Sequence, residues 1–356
     1  MVGHNPPFDE DRSLTDLTRD ALGWQPFFMS QLDLEDLDTF TPARISEVHR
    51  DRVIALSEIG PLELTLDPGI TTAETAVGDW VLAAPEQHRL TRVLDRKTEL
   101  SRGTAFHTGE KQLIAANLDT LFITTFCNAD FNPARLERYL ALANDAWITP
   151  VILITKADQT DDPDSYADRA RALGRDLAVV ALDAKRDDVP ERLSQWCGKG
   201  QTVALAGSSG VGKTTIANAL TGGAAATQDI REDDAKGRHT TTGRSLHPVT
   251  GGGWLIDTPG MRGLGLAEVE AGIDATFPEI TELAEQCKFR DCAHESEPGC
   301  AVQAAIATGE VDPERLRRFN KLKRENAQAT ETIAQSRERN RKLGKMYRSA
   351  TTKKKR

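Results

Sequence analysis

Gly207-Ser208-Ser209-Gly210-Val211-Gly212-Lys213-Thr214 fits the pattern G-x-x-x-x-G-K-[ST]. Residues 201–206 before it are an apolar run that reads as a strand. Residues 214–221 after it read as a helix, stopped by Gly222-Gly223. That strand–loop–helix context separates a phosphate-binding loop from a chance glycine-rich turn. The glycines let backbone N–H groups approach phosphate oxygens, and the helix N-terminus adds positive potential. Lys213 is expected to bridge the β- and γ-phosphates, Thr214 to bind Mg²⁺, and Thr215 to add a further phosphate contact.

Downstream, Asp257-Thr258-Pro259-Gly260 follows the apolar residues 254–256. A carboxylate there sits opposite the phosphate loop and holds Mg²⁺ through water, while the Gly260 N–H meets the γ-phosphate. Between the two lies Gly237-Arg238-His239-Thr240-Thr241-Thr242, in a Gly- and charge-rich segment. A threonine here, with Thr241 the candidate, completes the Mg²⁺ shell and responds to the γ-phosphate as a switch loop does.

Upstream, Thr155-Lys156-Ala157-Asp158 closes the strand-like residues 151–154. The Asp158 carboxylate is acceptor-only, so it suits the ring N–H and exocyclic amine of guanine, while the Lys156 stem packs on the base. Adenine lacks that donor pair, which disfavours an ATP-dependent enzyme. The usual motif is N-K-x-D; Thr155 stands in place of Asn and is expected to tether the phosphate loop. Residues 181–184 end the next strand, where Asp183 replaces a usual Ser and leaves the Ala184 N–H to meet guanine O6. The base-reading segments precede the phosphate loop instead of following it, the order of a circularly permuted GTPase. Whatever follows Gly260 can then feel the γ-phosphate directly.

Strand-like residues 118–126, 151–154, 177–182, 201–206 and 254–256 alternate with helical residues 133–144 and 164–173. This predicts an α/β fold with a mostly parallel sheet. Residues 43–48, 53–59, 62–66, 80–84 and 90–94 form short strand-like runs, punctuated by Pro61, Pro68-Gly69 and Gly78-Asp79. Five short strands suggest a small barrel, with an OB-fold the leading candidate. Residues 1–39 are acidic and expected to be mobile, save an apolar patch at Leu22-Gly23-Trp24, Phe27 and Phe28 that is able to dock. The expected division is therefore an extension (1–39), an OB-like barrel (40–98), a permuted GTPase domain (99–280), and a helical zinc-binding domain with a basic tail (281–356).

Cys287, Cys292, His294 and Cys300 give C-x4-C-x-H-x5-C. Three thiolates and an imidazole fill a tetrahedral shell, so a zinc ion here is structural. Five cysteines, three of them crowded together, do not read as an extracellular disulfide framework. The 356 residues are 39% hydrophobic and 28% charged, with no run of about 18–20 apolar residues and no signal-peptide core. A cytoplasmic location without membrane contact is expected. Residues 311–356 hold 16 Lys/Arg and 5 Asp/Glu, so this tail carries +11 and the rest −20 against a net −9. Basic arms commonly meet nucleic acid.

Together these motifs resemble the RsgA (YjeQ) family of small-ribosomal-subunit-dependent GTPases. The likeness spans about residues 40–320 and includes Val77-Gly78-Asp79-Trp80-Val81, Arg92-Val93-Leu94 and Leu100-Ser101-Arg102. It implies GTP/GDP and Mg²⁺ as ligands, one structural zinc ion, and binding to the 30S subunit and its 16S rRNA; no motif marks an oligomer, and a monomer is expected. It further implies hydrolysis to GDP and phosphate late in subunit maturation, stimulated by that subunit, with other assembly factors as possible contacts. Met261 follows Gly260 where Ras-like enzymes carry a water-orienting glutamine, and a thioether cannot position a water. The resemblance gives this role to His239, beside Lys213 and Thr241 as catalytic groups. The competing reading is an RNA-binding assembly scaffold in which GTP is mainly a conformational ligand.

Overall fold

The computed structural model describes residues 17–103, 111–128, 131–223, 244–257, 266 and 268–330. Within these, five strands close a barrel: β1 (Thr41–Val48), β2 (Arg52–Ser57), β3 (Gly60–Leu66), β4 (Trp80–Ala84) and β5 (Arg89–Val93). Their order is β1-β2-β3-β5-β4, with β4 returning antiparallel to β1. Ala43, Ile45, Val53, Ala55, Leu64, Val81, Ala83 and Leu90 fill its core. These are the inward positions of alternating strands, so closure both buries the apolar face and removes free edges.

The second sheet is built from β8 (Thr120–Phe126), β9 (Thr149–Thr155), β10 (Ala178–Ala181), β11 (Thr202–Gly207), β12 (Ser245–Pro248) and β13 (Trp254–Asp257). In space they run β10-β9-β8-β11-β13-β12. The first four pairings are parallel, and β12 is antiparallel to β13. All six residues of β11 are buried, as expected of a central parallel strand covered on both faces. A separate hairpin, β6 (Glu99–Gly103) with β7 (Lys111–Ala116), lies between barrel and sheet in sequence. Neither it nor β12 was foreseen.

The two β-structures are joined. Glu47 of β1 pairs with Ser245 of β12, which makes one continuous eleven-stranded order. Arg44, wholly buried in β1, donates to Leu22 O at 2.7 Å, Asn117 O at 3.3 Å and Thr202 Oγ1 at 2.8 Å. Residues 17–39 pack over this junction. Leu22 and Phe28 are buried, Trp24 meets Trp80 edge-on at 4.7 Å, and Ala21 O accepts from the Trp254 indole at 2.7 Å.

The C-terminal part is helical: Glu270–Thr276, Pro278–Ala284, Ala301–Thr308 and Pro313–Thr330. Helix Glu270–Thr276 lies so close on helix Pro133–Asp145 that a Cβ at Gly272 would sit 2.0 Å from Ala141 O. Only glycine permits that approach. Phe277 and Phe319 meet edge-to-face at 5.4 Å above the same surface. No helix among the described residues is long and apolar enough to cross a membrane.

Candidate nucleotide site and metal-ligand cluster

The phosphate-loop sequence sits where strand β11 ends and helix Lys213–Thr221 begins. Gly207 has φ +136°, and a Cβ there would lie 2.3 Å from Thr124 O, so the loop requires glycine at its first position. Gly210 and Gly212 also have positive φ, at +76° and +91°. The Lys213 ammonium folds back over the loop, 3.0 Å from Gly207 O and 2.5 Å from Ser208 O. Thr214 and Thr215 are exposed at the helix N-terminus, while Val211 is buried beneath. A helix start with outward N–H groups, a lysine and two hydroxyls is an anion site.

The base-side segments converge on this loop. The buried Thr155 hydroxyl lies 2.8 Å from Val211 O and 3.1 Å from Thr125 O. A Cβ at Gly212 would stand 3.6 Å from Thr155 Cγ2 and 3.8 Å from the Ala184 Cβ. Lys156 takes a left-handed backbone, φ +57°, and its ammonium sits 4.2 Å from the centre of the Phe126 ring. Ala157 and Asp158 follow on a short 3₁₀ turn, with Asp158 exposed. Asp183 turns its carboxylate onto the Lys185 N–H at 3.0 Å, leaving Ala184 largely buried against the loop.

Asp257 ends β13 beside β11, so its carboxylate is at the same sheet edge as the loop. Ligands of open α/β sheets bind at this carboxyl edge. His239, Thr241 and Gly260, together with Met261 and the tail beyond residue 330, lie outside the described residues.

Two residues not singled out in the sequence also touch the loop. Arg135 donates to Ser208 Oγ at 2.6 Å, and the buried Tyr139 phenol, whose pKa burial pushes up, lies beside the Gly207 backbone. Both come from helix Pro133–Asp145, and only their spacing of four, which puts them on one helix face, links them in sequence.

The ligand atoms of Cys287, Cys292, His294 and Cys300 all lie within 4.8 Å of one another. Cys287 and Cys300 sulfurs are 3.8 Å apart, and each is 3.5–3.6 Å from His294 Nδ1. A tetrahedral ion with bonds of about 2.3 Å to sulfur and about 2.1 Å to nitrogen needs edges of this length. The chemistry of the donors fits as well. Burial opposes ionisation of Cys287, but the Ala301 and Val302 amides and the neighbouring thiols hold its thiol below the ordinary range. His294 is fixed from behind by Gln303 Nε2, which donates to its carbonyl. The four residues can hold a metal ion.

Comparison with known proteins agrees with this geometry. Residues 93–267 match the RsgA GTPase family. A Mesorhizobium japonicum protein named small ribosomal subunit biogenesis GTPase RsgA is 58% identical over 87% of this chain and 90% of its own length. The chain belongs to the RsgA family. A Vibrio vulnificus member, small ribosomal subunit biogenesis GTPase RsgA 2, is 46% identical over 93% of this chain and 94% of its own. Among solved structures, YjeQ from Thermotoga maritima superimposes with a TM-score of 0.59 at 25% identity, covering 80% of this chain and 97% of that one. YloQ, described as a circularly permuted GTPase, gives 0.57 at 25% identity, with 83% and 97% covered. As an RsgA-family member this chain is a GTP hydrolase with a permuted, mostly parallel nucleotide-binding sheet, a small barrel and a helical Cys₃His unit.

Proposed function

We propose that this chain hydrolyses GTP to GDP and phosphate while docked on the small (30S) ribosomal subunit late in its maturation, and that the subunit stimulates the reaction. The observation that carries the reading is the Thr155–Val211 hydrogen bond. It joins a base-reading segment to a phosphate loop 56 residues later in the chain, so both halves of one nucleotide site form a single unit. The names of the Mesorhizobium and Vibrio relatives supply the subunit.

In this reading residues 207–215 cradle the phosphates, with Lys213 neutralising charge between the β- and γ-groups. Thr155, Lys156, Ala157 and Asp158 take one edge of guanine, and Asp183 and Ala184 frame O6. Thr214, Thr241 and Asp257 offer the hard oxygen donors that suit Mg²⁺. That ion, when bound, neutralises charge on the β- and γ-oxygens. Gly260 meets the γ-phosphate, and His239 orients the attacking water in place of the glutamine that Met261 cannot replace. The Cys₃His cluster holds a structural zinc ion that pins Phe289-Arg290-Asp291 and the neighbouring loops for contact with 16S rRNA. The functional division runs as extension 1–39, barrel 40–98, GTPase domain 99–280 and zinc domain 281–356, acting as a cytoplasmic monomer.

The test is GTP turnover alone, with purified 30S subunits, and with 50S subunits as control. Stimulation by 30S alone supports the proposal, and His239→Ala should abolish it while GTP still binds. Unstimulated turnover beside intact 30S binding would leave the chain an RNA-binding scaffold.

A further inference from the structure

One turn of helix Pro133–Asp145 is bonded on two sides. On one face Arg135 donates to Ser208 Oγ at 2.6 Å, and the buried Tyr139 lies beside the Gly207 backbone. On the flank, Glu137 is fully buried and accepts from Arg315 Nη1 at 2.8 Å and from Arg318 Nε at 2.8 Å. Arg138, the next residue, pairs with Glu325. Arg315, Arg318 and Glu325 all belong to helix Pro313–Thr330. Arg315 is itself fixed by Glu279 at 2.6 Å, by Thr276 O at 2.9 Å and by Leu173 O at 3.1 Å.

We propose that Arg135 and Tyr139 are positioning residues for the phosphate loop, and that Glu137 makes their placement answer to helix Pro313–Thr330. The inference rests on residues 207–215 being the nucleotide site and deepens that reading. The physical basis is stiffness. Residues 135 to 139 span only about 6 Å of a hydrogen-bonded helix, so they move as one body. A buried carboxylate shared by two guanidiniums has few alternative geometries, because loss of a partner leaves a charge buried without compensation. A shift of the C-terminal helix must therefore either carry helix Pro133–Asp145 with it or break that network. Either outcome reaches Ser208 and Gly207. Binding free energies are reciprocal, so a nucleotide on the loop must equally alter helix Pro313–Thr330.

That reciprocity gives a test needing no ribosome. Amide hydrogen exchange of residues 313–330 is measured in the full chain, with and without a non-hydrolysable GTP analogue whose binding is titrated in parallel. The expected result is a change of about five-fold or more in exchange rate on binding. Arg135→Ala should abolish the change although the analogue still binds, and Arg135→Lys, which can still donate to Ser208, should restore it. Glu137→Gln should also abolish it; if that variant does not fold, the exposed Arg135 decides. Binding with no change at residues 313–330 in the natural chain overturns the inference alone. So does a change that survives Arg135→Ala. Absence of analogue binding overturns the nucleotide-site reading beneath it.

Discussion

Two arginines are buried where accessory parts meet the nucleotide-binding sheet, and they are held in opposite ways. Arg44, at the barrel seam, is bonded to neutral acceptors: the carbonyls of Leu22, Gly78 and Asn117 and the Thr202 hydroxyl. Burial pulls it down to about 10, against the raising influence of Asp119 and Asp79. Arg315, at the C-terminal seam, faces the carboxylates of Glu137 and Glu279, and its guanidinium lies 4.3 Å from the centre of the Phe277 ring. The difference teaches what each charge is for. Arg44 gathers four separate segments of chain into one junction, and its charge is a cost. Arg315 belongs to an ion network whose members each depend on the others, so its loss exposes its partners.

The largest break in this comparison comes from beyond the C-terminal seam. Removing the metal from Cys287, Cys292, His294 and Cys300 should unfold the unit that helix Pro313–Thr330 continues, since structural zinc supplies about 10–16 kcal/mol in small zinc-finger peptides. Chelation should speed hydrogen exchange across residues 287–308 and leave the barrel protected. Equal loss in both would erase the contrast between the seams. Next, Arg315→Ala should destabilise by about 3 kcal/mol in urea denaturation, because Glu137 keeps only Arg318 and Glu279 loses its guanidinium partner. Arg44→Met should cost less, about 1–3 kcal/mol. It orphans carbonyls but relieves the burial of a charge that no carboxylate contacts. An Arg44→Met loss larger than that of Arg315→Ala would reverse the assignment of roles.

The parts legible in sequence are those whose signal is local. The apolar run into Gly207 and the spacing of Lys213 and Thr214 placed β11, its loop and its helix. The alternation between residues 43 and 94 placed all five barrel strands, and the Cys₃His spacing placed four ligands that meet in space. What escaped was long-range. Strand β12 reads Ser-Leu-His-Pro and shows no apolar period, because its neighbours β1 and β13, rather than its own pattern, make it a strand. Hairpin β6–β7 joins the polar Glu-Leu-Ser-Arg-Gly of β6 to β7, whose apolar Leu113–Ala116 runs on toward residues 118–126, so neither strand stands out by its own period. The buried seam charges were visible only as anomalies. Arg44 interrupts Ala43 and Ile45 in a buried strand, and Glu137 follows Leu136 on a helix whose core face is otherwise apolar. A charge inside an apolar pattern marks a buried partner, but nothing local says where in the chain that partner lies.

The smallest expected effect sharpens the barrel seam through pH. His247 of β12 is 1% exposed, with Nε2 2.8 Å from Ser245 Oγ and Nδ1 buried without a partner among the described residues. Burial lowers its pKa below the ordinary 6.5, so the folded chain keeps it neutral. As pH falls through 6.5 the unfolded chain takes up this proton first, and stability drops until the lower folded value is reached. Above about 6.5 both states are neutral and the term vanishes. The slope in that window cannot exceed about 1.4 kcal/mol per pH unit for one group. His247→Gln should therefore remove one such increment between pH 6.5 and 5 in urea denaturation. Other acid-sensitive groups, His294 among them, are common to both proteins and cancel in the difference. Because Ser245 pairs with Glu47 of the barrel and Asp257 of the nucleotide sheet, the loss should register first as opening between β1 and β12. If the natural chain and His247→Gln respond identically to acid, the barrel seam owes nothing to this histidine.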